Sequence, residues 1–442
     1  MSASLGCLPR SLSLFCSQVV LTSLLFASPL QAESQPAGSG ALTLEGAVEV
    51  ALNRNPGLAA LEAQSAALDA VPSQAGALPD PVLSLNAMNL PSDTFDLDQE
   101  PMTQLQIGLS QSIPFPGKRN LRQTAAENDA RAAAALAAER RDALRGLVRG
   151  AWWRVFNFDR ALDIVEQNKD LMRDFIEIAE TKYTVGKGLQ QDVLLAQLEL
   201  SRLMDREARL KGSRRSAAAE LNALLDRSSD LAITLARTPP SVVLPKLPAE
   251  VDVVREAGER RDLLRVHREA LAAASARLDL AERDRYPDFR LGAGYGFRQG
   301  TDPIRGDRAD FVSVTLSVSV PLYFGRKQGK AIEQRQHERS QRQYTLNDAA
   351  RTIQSEIATS MADYEAAREQ VLLLDTAIIP QAQQTVAAML SAYQVNEVDF
   401  LNVVNGQLML YDAQISYWQA LSDAKRALAR LAAAAGTETL YE

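Results

Sequence analysis

A strictly alternating strand that ends on a proline and passes through a glycine and two basic residues into a very long helix occurs twice in this chain. Few folds can hold it. The first copy, Leu105–Arg119, reads Leu-Gln-Ile-Gly-Leu-Ser-Gln-Ser-Ile-Pro-Phe-Pro-Gly-Lys-Arg, and the second, Val312–Lys327, reads Val-Ser-Val-Thr-Leu-Ser-Val-Ser-Val-Pro-Leu-Tyr-Phe-Gly-Arg-Lys. Alternation of apolar and small polar residues is the period-2 pattern of a β-strand with two different faces. Pro114 and Pro321 cannot donate to a β-ladder and so end each strand. The offset holds elsewhere: Pro79-Asp80 recurs as Pro287-Asp288, and Tyr183-Thr-Val-Gly as Tyr393-Gln-Val-Asn, drifting only from 207 to 210 residues. Such constancy predicts two structural repeats.

A formal net charge of −7 and a pI of about 5.3 argue against a nucleic-acid binder. Residues 1–32 have the pattern of a cleaved secretory signal: Arg10 is their only charge, Leu12–Ala27 is an apolar core, and Leu30-Gln31-Ala32 supplies a small-residue cleavage site. A retained membrane anchor is the alternative, disfavoured because the core is short. Cys7 and Cys16 both fall inside this segment, so a mature chain would have no disulfide, thiolate metal site or cysteine nucleophile, and neither is placed for an N-terminal lipid. Residues 33–41 read as a flexible lead-in. No other segment has eighteen consecutive apolar residues, so entry into a membrane would require a closed β-barrel.

The first repeat is expected over 42–236. Thr43 caps a helix, Asn55-Pro56 breaks it, and a second helix runs to about Ala70. Strands at 82–90 and 104–113 flank an acidic loop. One helix then spans Lys118 to about Lys182, with an apolar seam at Leu144, Val148, Ala151, Val155, Phe158, Leu162 and Val165 continuing to Tyr183 and broken only at Lys169. At 1.5 Å per residue it is about 100 Å long. Val185–Gly188 reverses the chain, and the return helix keeps the seam apart from Glu207 and Arg214. Residues 237–250, with Pro239, Pro240, Pro245 and Pro248, form a linker. The second repeat, 251–442, has strands at 289–298 and 311–320, a helix from Lys327 to about Ala392, a tip at Asn396–Asp399 and a last helix ending near Ala435.

Strands of about ten residues with one apolar and one small, polar face suit a lipid face and a wet lumen. Four of them cannot close a barrel, and open edges are not tolerated in lipid, so the chain must oligomerise. Two copies give a filled eight-stranded barrel; three give twelve strands and room for a lumen. A narrow helical seam buries little per chain, so hairpins from several chains must pack side by side. The expected fold is therefore mainly α with a transmembrane β-barrel: long helical hairpins packed side by side, and four strands per chain in a barrel shared between copies.

This layout resembles the TolC family of outer-membrane efflux ducts over nearly all of the mature chain. Leu109-Ser-Gln-Ser-Ile-Pro-Phe-Pro-Gly-Lys-Arg119, with Tyr183-Thr-Val-Gly and Asp192-Val-Leu-Leu-Ala-Gln197, is similar to the CzcC-type branch, which serves heavy-metal pumps of the resistance–nodulation–division class. The second motif departs, with Tyr323-Phe324-Gly325 where the first has Pro116-Gly117. The resemblance implies a homotrimer embedded in the lipid of the bacterial outer membrane, with four strands per chain in a shared twelve-stranded β-barrel. The helical hairpins would form a trimeric α-barrel, a long periplasmic extension docked to a periplasmic adaptor and an inner-membrane pump. It implies passive conduction of heavy-metal cations out of the cell, with drug efflux or type I protein secretion as the alternative. A secreted trimeric coiled-coil structural protein is the rival from another class; it explains the heptads and leaves the four amphipathic strands unexplained.

No Ser/His/Asp set, phosphate-binding loop or catalytic carboxylate pair stands out, so neither an enzyme nor a cofactor is expected. His267 and His337 have no metal-ligand spacing and read as exposed helix residues. Functional residues are expected at the helix reversals. The resemblance places adaptor contacts at Tyr183, Gly186, Lys187 and Gly188. Asp192, Glu397 and Asp399 could form an acidic ring at a periplasmic gate. For Asp192 a helix cap is the better reading, and for Asp399 the two roles stand level. The strand-to-helix motif contributes Pro114, Pro116, Gly117, Lys118, Arg119, Pro321, Gly325 and Arg326.

Overall fold

The computed structural model describes residues 41–239, 241–395 and 397–441. The expected signal segment, residues 33–40 of the lead-in, Pro240 of the linker and Asn396 of the tip lie outside the described residues. Three short helices open the described chain: α1 (Leu44–Arg54), α2 (Pro56–Asp69) and α3 (Val71–Gly76). Thr43 Oγ1 accepts from the Gly46 N–H at 3.1 Å, and Asn55 Oδ1 accepts from Leu58 N–H, with Pro56 at the helix start where its missing N–H costs nothing. The third helix, absent from the expected layout, follows from Pro72 restarting the chain at a helix N-terminus.

β1 (Val82–Met88) and β2 (Gln104–Ile113) then pair antiparallel, and α4 (Lys118–Thr184) and α5 (Gln190–Leu224) form the first hairpin. The second repeat supplies α6 (Glu250–Arg260), α7 (Asp262–Arg283), β3 (Phe289–Phe297), a small β4–β5 hairpin (Thr301–Asp302, Gly306–Asp307) and β6 (Phe311–Val318). α8 (Gln328–Leu373), α9 (Ile379–Gln394) and α10 (Phe400–Ala435) complete it. Three strands stop one or two residues short of their expected ends; Asn89, at φ 53°, turns the chain out of β1 before Pro91. The single helix expected from Lys327 to Ala392 is interrupted by a π-helical turn, Leu374–Ile378. Pro380 lacks an N–H and its ring crowds the carbonyl four residues earlier, so the turn widens.

The four longer strands form one sheet in the order β1-β2-β3-β6. Its register gathers the alternating residues into rows. Leu83, Leu109, Ala293 and Val314 lie side by side, as do Leu85, Ile107, Tyr295 and Val312. Between them, on the opposite face, runs Ser84–Gly108–Gly294–Ser313. The apolar face is uncovered: Leu85 is 77% and Val314 75% exposed. No helix among the described residues is long and apolar enough to cross a membrane.

The main core sits where α1, α4, α5 and α10 meet, around the fully buried Trp152, Trp153 and Phe156. Trp152 Nε1 donates to the Leu42 carbonyl at 3.2 Å and Trp153 Nε1 to the Tyr441 hydroxyl at 2.9 Å, so both indole N–H groups are satisfied. Farther along the hairpin, the seam's polar exceptions find partners. Lys169 Nζ lies 2.7 Å from Glu207 on α5 and 2.7 Å from Glu166, and Glu207 also meets Lys211. Arg214 pairs with Asp159 and donates to the Ile233 carbonyl at 2.9 Å.

Hydrogen bonds from Lys169 and then Lys211 hold the Glu207 carboxyl down at about 2 from an ordinary 4.5. A depressed carboxylate contributes stability that is fully present above about pH 4.5 and is lost as pH falls toward 2. Glu207→Gln is therefore expected to lower helical stability at pH 7 by about 1–3 kcal/mol, with the difference from wild type vanishing near pH 2. Thermal melts followed by circular dichroism check this; an equal loss at both pH values contradicts it.

Candidate functional site

The residues singled out in the sequence collect at the two ends of the long hairpins. At the sheet end, Pro114 terminates β2 and the following turn is held by the second repeat. Lys118, 2% exposed, reaches Asp288 Oδ1 at 2.9 Å, Asp284 Oδ1 at 3.3 Å and the Tyr286 carbonyl at 3.0 Å. The same Asp288 oxygen accepts from the Phe115 N–H at 2.8 Å, and the Phe115 ring stacks on Tyr286 with centroids 4.6 Å apart. Arg283 donates to the Pro116 carbonyl at 3.1 Å, and Arg119 Nε donates to the Gly76 carbonyl at 2.8 Å. Gly117 has φ +90°, and a β-carbon there would sit 2.8 Å from the Arg283 guanidinium, so the turn needs glycine twice over.

The second motif is not held in this way. Pro321 is half-buried, but Gly325 and Arg326 are exposed, and Gly325 does not take up a positive φ. The Arg326 N–H bonds the Tyr323 carbonyl three residues back at 3.1 Å, as the Lys118 N–H bonds Phe115 at 3.1 Å.

At the far end, α4 closes in a Schellman turn: the Gly186 N–H bonds the Tyr183 carbonyl at 3.0 Å and the Lys187 N–H bonds the Lys182 carbonyl at 2.9 Å, with Gly186 at φ +69°. At Gly188 a β-carbon would lie 2.9 Å from Lys182 Cβ. The other tip repeats the closure, Glu397 N–H bonding the Ala392 carbonyl at 3.0 Å. Tyr183 is 48% exposed, and Lys187, Glu397 and Asp399 are exposed. Asp192 does not occupy the cap of α5, which falls at Leu189; it stands inside the first turn and its carboxylate accepts from the Leu189 N–H. Burial pushes that carboxyl up from its ordinary value, and the nearby Asp399 charge adds to the shift against Lys182. Asp399 occupies the cap position of α10, but its side chain makes no cap hydrogen bond.

Several residues that build these ends carried little signal alone. Lys182 Nζ donates to the Tyr393 carbonyl at 2.7 Å and lies 3.8 Å from that ring's centroid, which packs on Phe400. Asp288 was visible only as half of the repeated Pro-Asp pair. His337 is exposed as expected, whereas His267 on α7 is half-buried, and burial, with the nearby Arg342 charge adding to it, holds its pKa below the ordinary value. Among the described residues no group of three or more His, Cys, Asp or Glu is placed to hold a metal ion.

Comparison with known proteins adds the family. The model named Outer membrane efflux protein matches residues 47–227 and 253–437. The chain is 25% identical to the cobalt-zinc-cadmium resistance protein CzcC of Cupriavidus metallidurans, over 86% of each chain. Among solved structures, the outer membrane protein VceC of Vibrio cholerae superposes with a TM-score of 0.73 at 18% identity, covering 90% of this chain and 97% of that one. CusC superposes with a TM-score of 0.74 at 16% identity, covering 89% and 92%. At these identities the structural matches show the fold.

Lys118→Ala would leave Asp288 and Asp284 without their buried cation and open the strand-to-helix turn. Both carboxylates are nearly half exposed, so water offsets part of the loss, and a cost of about 1–3 kcal/mol is expected. A thermal melt of the purified variant checks this; a wild-type melting temperature contradicts the clamp.

Proposed function

Because the chain belongs to the Outer membrane efflux protein family, we propose that this outer-membrane efflux channel is the exit duct of a tripartite system, passing heavy-metal cations from a resistance–nodulation–division pump to the exterior. The observation that carries the cargo is the similarity to a protein named for cobalt, zinc and cadmium resistance, which extends over 86% of both chains. The matched family and the similar folds are channels rather than enzymes.

Three chains would supply twelve strands, closing the barrel with the exposed Leu85 and Val314 rows toward lipid and the serine–glycine rows toward the lumen. The helical hairpins would extend into the periplasm. The Tyr183, Gly186, Lys187 and Gly188 turn would meet the periplasmic adaptor; its exposure, and that of the neighbouring Val185 (63%) and Leu189 (59%), supports a docking role. Asp192, Glu397 and Asp399 would gather around the threefold axis as a cation-favouring gate. The electrostatic reach between Asp192 and Asp399 supports this, as does the lack of a cap hydrogen bond from Asp399.

Deleting the gene should raise cellular cobalt, zinc and cadmium, measured by elemental analysis, and the wild-type gene should restore export. Unchanged metal with accumulation of organic compounds would instead favour drug efflux. The gate has its own test in single-channel recordings. Glu397→Gln combined with Asp399→Asn should weaken cation selectivity at unchanged stability. A capping role gives the reverse, a loss of about 0.5–2 kcal/mol with selectivity intact.

A further inference from the structure

Within the chain, the turn after β2 is clamped by the segment before β3, because β2 and β3 are neighbours in the sheet. The repeat places an equivalent turn after β6 and an equivalent segment before β1. Their sequences correspond: Gly325-Arg326-Lys327 matches Gly117-Lys118-Arg119, and Pro79-Asp80 matches Pro287-Asp288. Within one chain the two pieces are not clamped as their counterparts are. Gln111 Nε2 donates to the Pro79 carbonyl at 2.6 Å and the Arg285 guanidinium stands 5.9 Å from the Phe324 ring centroid, but neither contact engages the charged side chain of the motif. Arg326 and Asp80 are exposed, and neither side chain has a hydrogen bond or ion pair among the described residues. They cannot meet each other in the same sheet, because β1 and β6 are its opposite edges, three strand spacings or about 14 Å apart.

The helices show the same asymmetry. α7 packs against both α4 and α8, whereas α2 and α3, its counterparts in the first repeat, pack against α4 with no comparable contact to α8. As a result the start of α4 is covered, with Lys118, Ala125, Ala126, Asn128 and Ala130 buried. α8 has no buried residue before Ala349. One flank of the chain therefore ends in a basic turn and a helix covered on one side by α7 alone, and the other in a segment carrying Asp80 and two helices with a free side. The flanks complement one another in charge and in kind.

We infer that Arg326 forms an ion pair with Asp80 of the partner subunit, the intersubunit counterpart of the Lys118–Asp288 clamp, and that α2 and α3 of the partner subunit cover the first half of α8. This rests on the trimeric reading above and adds the contact that locks β6 of one copy beside β1 of the next. The occupant of the bare flank is thus a second copy of this chain.

The test uses the full-length protein in outer membranes. Arg326→Cys combined with Asp80→Cys, treated with a short bismaleimide, should give covalent species of two and three chain masses on denaturing gels. Either single variant should remain at one. Lys118→Cys with Asp288→Cys should cross-link within the chain and stay at one mass. In parallel, Arg326→Asp should lower the temperature at which the assembled protein dissociates on unheated gels, and adding Asp80→Arg should recover at least half of that shift. Trimers that form normally but give no intermolecular product, or no recovery by the charge exchange, overturn the pairing. A wild-type chain that runs as a monomer without heating overturns the trimeric reading itself.

Discussion

An edge strand presents a row of backbone N–H and C=O groups with nothing to bond, and in this protein β1 and β6 each carry one. The sheet between them cannot turn those edges toward a core of its own, because one face is a continuous exposed apolar surface and the other is lined by serine and glycine. In hydrocarbon such groups have no water to turn to, and closure of the sheet is the available remedy. β2 and β6 run through Pro114 and Pro321 into a long helix, so the sheet's register also sets where the hairpins stand.

Along those hairpins the stabilising surface is narrow. The seam between α4 and α5 is largely apolar, and its charged interruptions are matched across the pair, Lys169 to Glu207 and Arg214 to Asp159. A charge on only one side would be costly to bury, whereas a hydrogen-bonded pair is tolerated and fixes which turn of one helix faces which turn of the other. The bulkier anchoring is left to Trp152, Trp153 and Phe156, midway along α4, where the short helix α1 closes over them. This division leaves the tips with few buried side chains, among them Tyr393 and Phe400 under Lys182.

Much of this was legible in the sequence. Strand period, the terminating prolines and the heptad seam are local signals, and they located β2, β3 and the hairpins closely. The π turn before Pro380 was missed because a proline inside a strongly helical pattern can end a helix or merely widen it, and only packing decides. The expected tip residues lie at the two helix reversals, but Asp192 is not at the cap of α5: a carboxylate near a helix start reads as a cap, and its place inside the turn depends on where the chain reverses. The junction's clamp was half visible. Lys118 stood in the motif, yet its partner lies 170 residues away, and only the recurrence of Pro-Asp pointed to Asp288. Contacts at that range follow from the strand order, which no local pattern encodes.

We propose that one chain is an incomplete barrel. Native mass spectrometry of the protein extracted from outer membranes in mild detergent tests it most directly. A single species of three chains, falling to one chain only on heating, is the result expected. A stable, folded monomer in the same detergent would contradict it, because β1 and β6 would then be tolerated as open edges.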